Sequence, residues 1–140
     1  MREPPWNVIT LQSVVVPEKP GLMVIAELAK IAPGFFPNDA APRVYSISNT
    51  TKKWSPRGGH YHPEGGKREL IIALKGTIEF SMHSSDGCGF AVLESPQQGL
   101  LIPNGIWHGV RMSPGAILLS IASTLYTQGE SITSKPCGCP

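Results

Sequence analysis

The chain has 140 residues, a formal net charge of +2 and 16% charged side chains. That length suits a single domain, and the charge bias is too weak to point to nucleic acid or a membrane surface. A domain near this size buries roughly 70% of its unfolded surface, so a real core is expected. No apolar run is long enough for a transmembrane helix. The opening Met1-Arg2-Glu3-Pro4-Pro5-Trp6 lacks the apolar core of a secretory leader. Three cysteines, Cys88, Cys137 and Cys139, make an odd count, which argues for reduced thiols and a cytoplasmic protein.

The elements read almost entirely as short strands punctuated by turns. Asn7 to Val16 is rich in Val, Ile and Leu and stops at Pro17, giving a first strand. Its apolar end, Val14 to Val16, needs an edge partner or a neighbour. Leu22 to Leu28 is a second strand, with one short helix as the alternative, because prolines bracket a run too short for a stable helix. Ile31 to Pro42 reads as a loop carrying Phe35 and Phe36. Arg43 to Ser48 is a third strand, and Asn49 to Pro56 a polar loop with Trp54 in it.

A strand around His60-Tyr61-His62 comes next. Successive side chains on a strand point to opposite faces, so His60 and His62 share one face and Tyr61 takes the other. Pro63 to Lys67 is a turn, and Glu69 to Leu74 is a near-continuous apolar strand, as expected for a central one. Thr77 to Met82 alternates cleanly, with Ile78, Phe80 and Met82 on one face. Ser84 to Gly87 turns into a short strand over Phe90 to Leu93. Leu100 to Ile102, Trp107 to Val110 and Ala116 to Ala122 complete the strands, separated by Pro103-Asn104-Gly105 and Ser113-Pro114-Gly115. From Thr127 the chain is polar and reads as a flexible tail, Cys137 and Cys139 included. Strands at this spacing predict an all-β sandwich or barrel.

Two imidazoles sharing a strand face, a carboxylate at Glu69 and a third imidazole at His108 make a polar cluster that a core avoids unless every group is partnered. With Gly99-Leu100-Leu101-Ile102-Pro103-Asn104-Gly105-Ile106-Trp107-His108, the cluster resembles the two motifs of a cupin jelly roll. Arg43-Val44-Tyr45, Pro56-Arg57-Gly58-Gly59-His60-Tyr61-His62, Ser95-Pro96, Ile106-Trp107-His108 and Ala122-Ser123 with Tyr126 are similar to the WxcM-like cupins, the sugar-nucleotide 3,4-ketoisomerases. The similarity spans residues 8–126, expected as the cupin domain, with 127–140 as the tail.

The resemblance implies a dTDP-4-keto-6-deoxy-hexose substrate and movement of its ketone from C4 to C3 through an enediol. It implies no metal or other cofactor, and a homodimer. By the same resemblance His62 is the catalytic base, with His60 and Tyr45 as catalytic partners. Arg57, Arg43, Glu69, Trp107 and His108 bind substrate, Arg57 because guanidinium pairs well with phosphate oxygens. Imidazole suits proton transfer because its ordinary pKa lies near working pH. The chain departs from the family where Tyr45-Ser46 replaces two tyrosines, Arg68-Glu69 replaces Glu-Gln, and the loop after His62 is longer.

Other readings stay open. His60, His62, Glu69 and His108 form a donor set suited to Mn, Fe, Ni or Zn, which would make the protein a metal-dependent cupin enzyme. Serine at position 46 permits a module that binds a sugar nucleotide without turnover. Plain structural roles compete at single positions: Trp107 as packing at the barrel mouth, Arg57 as a surface ion pair, and Tyr45 as strand core.

Overall fold

The structure, a computed structural model, describes residues 5–15, 17–19, 21–36, 40–60, 67–125 and 137. Eleven strands and one helical turn follow in chain order: β1 (Asn7–Thr10), β2 (Gln12–Val14), β3 (Met23–Ile25), α1 (Leu28–Ile31), β4 (Arg43–Ser48), β5 (Ser55–His60), β6 (Glu69–Lys75), β7 (Ile78–Ser84), β8 (Gly87–Leu93), β9 (Gln98–Ile102), β10 (Trp107–Met112) and β11 (Ile117–Ala122).

They form a five-stranded sheet in the order β1-β9-β6-β11-β4, a four-stranded sheet in the order β5-β10-β7-β8, and the β2-β3 hairpin. Every strand pairing is antiparallel. The result is the all-β jelly-roll sandwich expected of a cupin.

Period-two alternation decides what lies between the sheets. Ile78, Phe80 and Met82 of β7 and Val110 and Met112 of β10 face Ile71 and Ala73 of β6, Leu100 and Ile102 of β9, and Leu118 of β11 in one core. The opposite face of the larger sheet is also covered. Leu70, Ile72 and Leu101 pack there against Leu11, Phe36, Ala32 and the partly buried Val24, Leu28 and Ile31. This explains the near-continuous apolar run of β6: Glu69 to Ala73 is buried on both faces.

The N-terminal segment differs from the single strand expected over Asn7 to Val16. β1 pairs with β9, then the Leu11 N–H donates to the Gln97 carbonyl at 2.7 Å, and the chain turns away. β2 then pairs with β3, Val14 opposite Met23, which supplies the expected partner; Val16 lies outside the described residues. The strand expected over Leu22 to Leu28 shortens to β3, and α1 follows, with Leu28 and Ile31 of that turn packed against the second core. β5 starts at Ser55, inside the expected polar loop, held by pairing Met112 to Ser55. The expected flexible tail falls outside the described residues, except Cys137.

Phe36 is 1% exposed beneath this cover, whereas Phe90 is 83% exposed on β8. Phe36→Ala is expected to cost about 3–5 kcal/mol of folding stability. Phe90→Ala is expected to stay within about 0.5 kcal/mol of the parent. Urea unfolding of both variants checks the contrast; equal effects would contradict the cover described here.

Candidate active site

Glu69 opens β6 on the face directed between the sheets and is 2% exposed. A buried carboxylate must be paired. The Lys67 Nζ lies 2.9 Å from its Oε1, and the hydroxyls of Tyr45 and Ser120 both donate to Oε2 at 2.6 Å. The Lys67 Nζ also donates to the Tyr45 oxygen at 3.3 Å. Ser120 stands opposite both Tyr45 and Ile71 in the strand register, so β4, β11 and β6 each contribute to one inward-facing polar network. Arg43 shares the face of Tyr45, with its guanidinium 5.5 Å from the centre of that ring.

The two histidines reach the site from the smaller sheet. His108 is buried on β10, its Nδ1–H donating to the Ile106 carbonyl at 3.0 Å. That bond directs Nε2 inward, 4.0 Å from Glu69 Oε1. His60 ends β5 directly opposite His108, with ring centres 5.1 Å apart and planes at 66°. The pairing depends on a β-bulge. Gly58 stands opposite Gly109, yet His60, not Gly59, stands opposite His108, so Gly59 is the extra residue. Its φ of 83° is the left-handed conformation that glycine adopts without penalty. The shift turns His60 inward; regular pairing would turn it out.

Burial governs the protonation states. The His60 pKa falls to about 4, first through burial and then through the charges of His108 and Lys67. The His108 pKa is also lowered, because burial outweighs Glu69 and the Ile106 carbonyl. Both rings are therefore neutral at neutral pH. Burial alone would raise Glu69, but Lys67 and the bonds from Ser120 and Tyr45 outweigh it and hold the carboxyl at about 2. Tyr45 moves the other way: burial and then the Glu69 charge raise its pKa well above the ordinary phenol value, so the hydroxyl keeps its proton.

The structure thus brings together His60, His108, Glu69, Tyr45 and Arg43. His62 lies outside the described residues. Trp107 turns to the outer face of the smaller sheet, where its ring meets His83 at 5.1 Å and 84°. Arg57 is exposed and lines, with Trp107, Phe90 and Arg111, an outer groove of about 610 Å³. Lys67 and Ser120 went unnoticed as site residues. The signals were present: Lys67 has the parity of Glu69, and Ser120 is the lone polar residue within Ile117 to Ala122.

The family model "FdtA: WxcM-like, C-terminal" matches residues 7–135. The chain belongs to the FdtA, WxcM-like family. Among solved structures, this FdtA-family chain is similar to a 3,4-ketoisomerase from Helicobacter canadensis, with 27% identity, 93% and 91% of the two chains covered and a TM-score of 0.78. It is similar also to the TDP-quinovose 3,4-ketoisomerase WlaRB from Campylobacter jejuni, at 25% identity, 93% coverage of each chain and a TM-score of 0.79. A dTDP-4-dehydrorhamnose 3,5-epimerase from Bacillus anthracis shares the fold at 14% identity, with 91% and 77% of the chains covered and a TM-score of 0.74. No curated protein gives a significant match. Among the described residues, no helix of this FdtA-family chain is long and apolar enough to cross a membrane.

The lowered His60 pKa makes stability depend on pH. Below the ordinary imidazole value of about 6.5, the unfolded chain binds a proton that folded His60 refuses. The contribution is full above that value and is lost as pH falls through about 4, with His108 acting in the same direction. Folding stability is therefore expected to drop between about pH 6.5 and about pH 4. His60→Asn should make the decline shallower, which urea midpoints across that range will check; an unchanged profile would contradict the assignment.

Proposed function

We propose that the protein is a sugar-nucleotide 3,4-ketoisomerase acting on a dTDP-4-keto-6-deoxy-hexose. The observation that carries the reading is the inward histidine pair set against a buried, fully partnered Glu69, in a chain of the FdtA family. The 3,4-ketoisomerases among the structural neighbours support it.

The reaction needs a neutral base beside C3 of the sugar. The base removes the C3 proton, and the electron pair moves toward the C4 carbonyl to give an enediolate. The C3 hydroxyl proton then passes to the C4 oxygen. The electron pair returns through C3, which becomes the ketone, to carbon C4. C4 takes back one proton from the protonated base, leaving a hydroxyl there. His62 is the base in this reading. His60, neutral at working pH, is its partner in passing or orienting the proton. Tyr45 retains its single hydroxyl proton and donates it to Glu69. Turning that proton to the developing oxyanion exchanges the bond, while Lys67 and Ser120 keep the carboxylate partnered. His108 and Glu69 shape the sugar pocket. Arg43 on the inner face and Arg57 at the edge strand are the cations assigned to the pyrophosphate, and Trp107 backs the pocket from the outer face.

The network favours this metal-free reading over a metal-dependent cupin. Glu69 Oε1 already receives Lys67, and Oε2 two hydroxyls. A metal would have to displace those partners. A homodimer fits the hairpin β2-β3, which leaves Leu22 and Met23 46% and 49% exposed beside Val15 at 70%. A cytoplasmic setting suits a nucleotide-sugar substrate, but the reduced thiols expected from the odd cysteine count are not what the structure has: Cys88 is disulfide-bonded.

His62→Asn is expected to lower turnover of a dTDP-4-keto-6-deoxy-hexose about 10²- to 10⁴-fold while leaving nucleotide binding nearly intact. The decisive readout is deuterium entering C3 from solvent, followed by NMR: present with the parent, absent with the variant. Full exchange in the variant moves the base elsewhere. Neither exchange nor product in the parent leaves a binding or metal-dependent cupin as the better account. Light scattering at micromolar concentration should give twice the chain mass, and a monomer there would remove the dimer.

A further inference from the structure

A second cluster of chemically active side chains lies on the outer face of β5-β10-β7-β8, and the isomerase reading does not use it. His83, Cys88 and Cys137 each present a ligand atom within 4.8 Å of the other two. Cys137 Sγ is 3.1 Å from Cys88 Sγ and 3.4 Å from His83 Nδ1. His83 and Cys88 stand opposite each other in the β7-β8 register, so the strands themselves preset two of the three positions. His83 shares the outward parity of Glu79 and Ser81, yet is only 3% exposed, between the Trp107 ring and Cys137.

The other ring nitrogen of His83 is also held: Nε2 lies 3.0 Å from Ser81 Oγ. With the proton on Nε2 and donated to that hydroxyl, Nδ1 turns its lone pair toward the two sulfurs. A ligating histidine is ordinarily oriented in this way, by a hydrogen bond from its second nitrogen.

We propose that, with its thiols reduced, the chain binds a Zn²⁺ ion through His83 Nδ1, Cys88 Sγ and Cys137 Sγ. Two thiolates and an imidazole are the donors zinc prefers, with a fourth position open to solvent. Tetrahedral spans between such ligands are on the order of 3.5–3.8 Å, given Zn–S of about 2.3 Å and Zn–N of about 2.0 Å. The Nδ1–Sγ contact of 3.4 Å is close to that span, and the Sγ–Sγ contact of 3.1 Å is shorter by about 0.7 Å, a gap that turning the Cys137 side chain away from Cys88 opens for the ion. Cys88 is disulfide-bonded in the structure. A thiol reductant therefore acts first, supplying two electrons and two protons; it leaves two free thiols and is itself oxidised to a disulfide. Zn²⁺ then displaces one proton each from Cys88 and Cys137, and neutral His83 gives its lone pair. The bound ion ties the C-terminal end of the chain to the smaller sheet, behind Trp107.

The test is Co²⁺ and Zn²⁺ titration of the full chain after thiol reduction and removal of adventitious metal with a chelator. One equivalent of Co²⁺ should give a thiolate-to-metal charge-transfer band with a tetrahedral visible spectrum, and Zn²⁺ should bleach both. Cys137→Ser, which leaves both sheets untouched, should weaken the band and lower Zn²⁺ affinity by more than 100-fold. Ser81→Ala should keep the band while lowering affinity about 10- to 100-fold, as loss of an orienting partner does. His60→Asn should leave the spectrum unchanged. Absence of the thiolate band, its persistence in Cys137→Ser, or its loss in His60→Asn would overturn the proposal.

Discussion

The buried carboxylate of Glu69 sets the terms for the interior of this molecule. Leaving a charge in an apolar sandwich without partners costs several kcal/mol, so the surrounding chain must answer it. The answer comes from Lys67 on its own strand entry, Tyr45 on β4 and Ser120 on β11. Three neighbouring strands are thereby tied at one point, and the polar end of the sandwich is separated from the apolar end. Burial, and after it the same charge, keeps the Tyr45 hydroxyl protonated. A group that looks structural from its burial therefore sets the chemistry of its neighbours.

The two sheets are asymmetric in how they are covered. The larger one is covered on its outer face over β6 and β9, where the second core is built from Leu11, Phe36 and the segment around α1, while Val44 leaves the outer face of β4 exposed. The smaller one buries its inner face and, on the outer one, His83, and leaves Phe90, Trp107 and Arg111 around an open groove. A strand buried on both sides is a rigid platform for Glu69, and β11 ties Tyr45 on β4 to it. The histidines arrive from the other sheet, so the distance between the layers decides how closely imidazole and carboxylate approach.

Much of this was legible before any coordinates. The bounds of β4 and the alternation of β7 follow from β-branched and apolar spacing, because both strands have one face in the core. Glu69 stood out as a charge opening an apolar run. The parts that resisted reading are those that depend on register or on distant contacts. Trp107 and His108 are adjacent, so only one of them can face inward. Which one does is fixed by pairing across β7 rather than by the local motif. Lys67 sits in a stretch whose glycines and proline read as a turn, and its burial comes from a carboxylate that the sequence places two residues away but does not orient. The break at Leu11 was invisible because both halves of the segment have strand composition; what separates them is a change of partner.

The bulge at Gly59 carries a consequence for how such sites are recognised. Two residues, Gly58 and Gly59, separate Arg57 from His60, whereas Gly109 alone separates their partners Val110 and His108, so the inward face of His60 depends on Gly59 being absorbed as a bulge. A chain shorter by one at that point would bring this imidazole opposite His108 by regular pairing, with no bulge and no left-handed residue. A chain of the present length that lost the bulge would turn it to solvent. Function here is written partly in backbone conformation, so relatives in this family are better compared by the length of the Arg57–His60 interval together with whether a glycine stands where Gly59 does than by the identities at its ends.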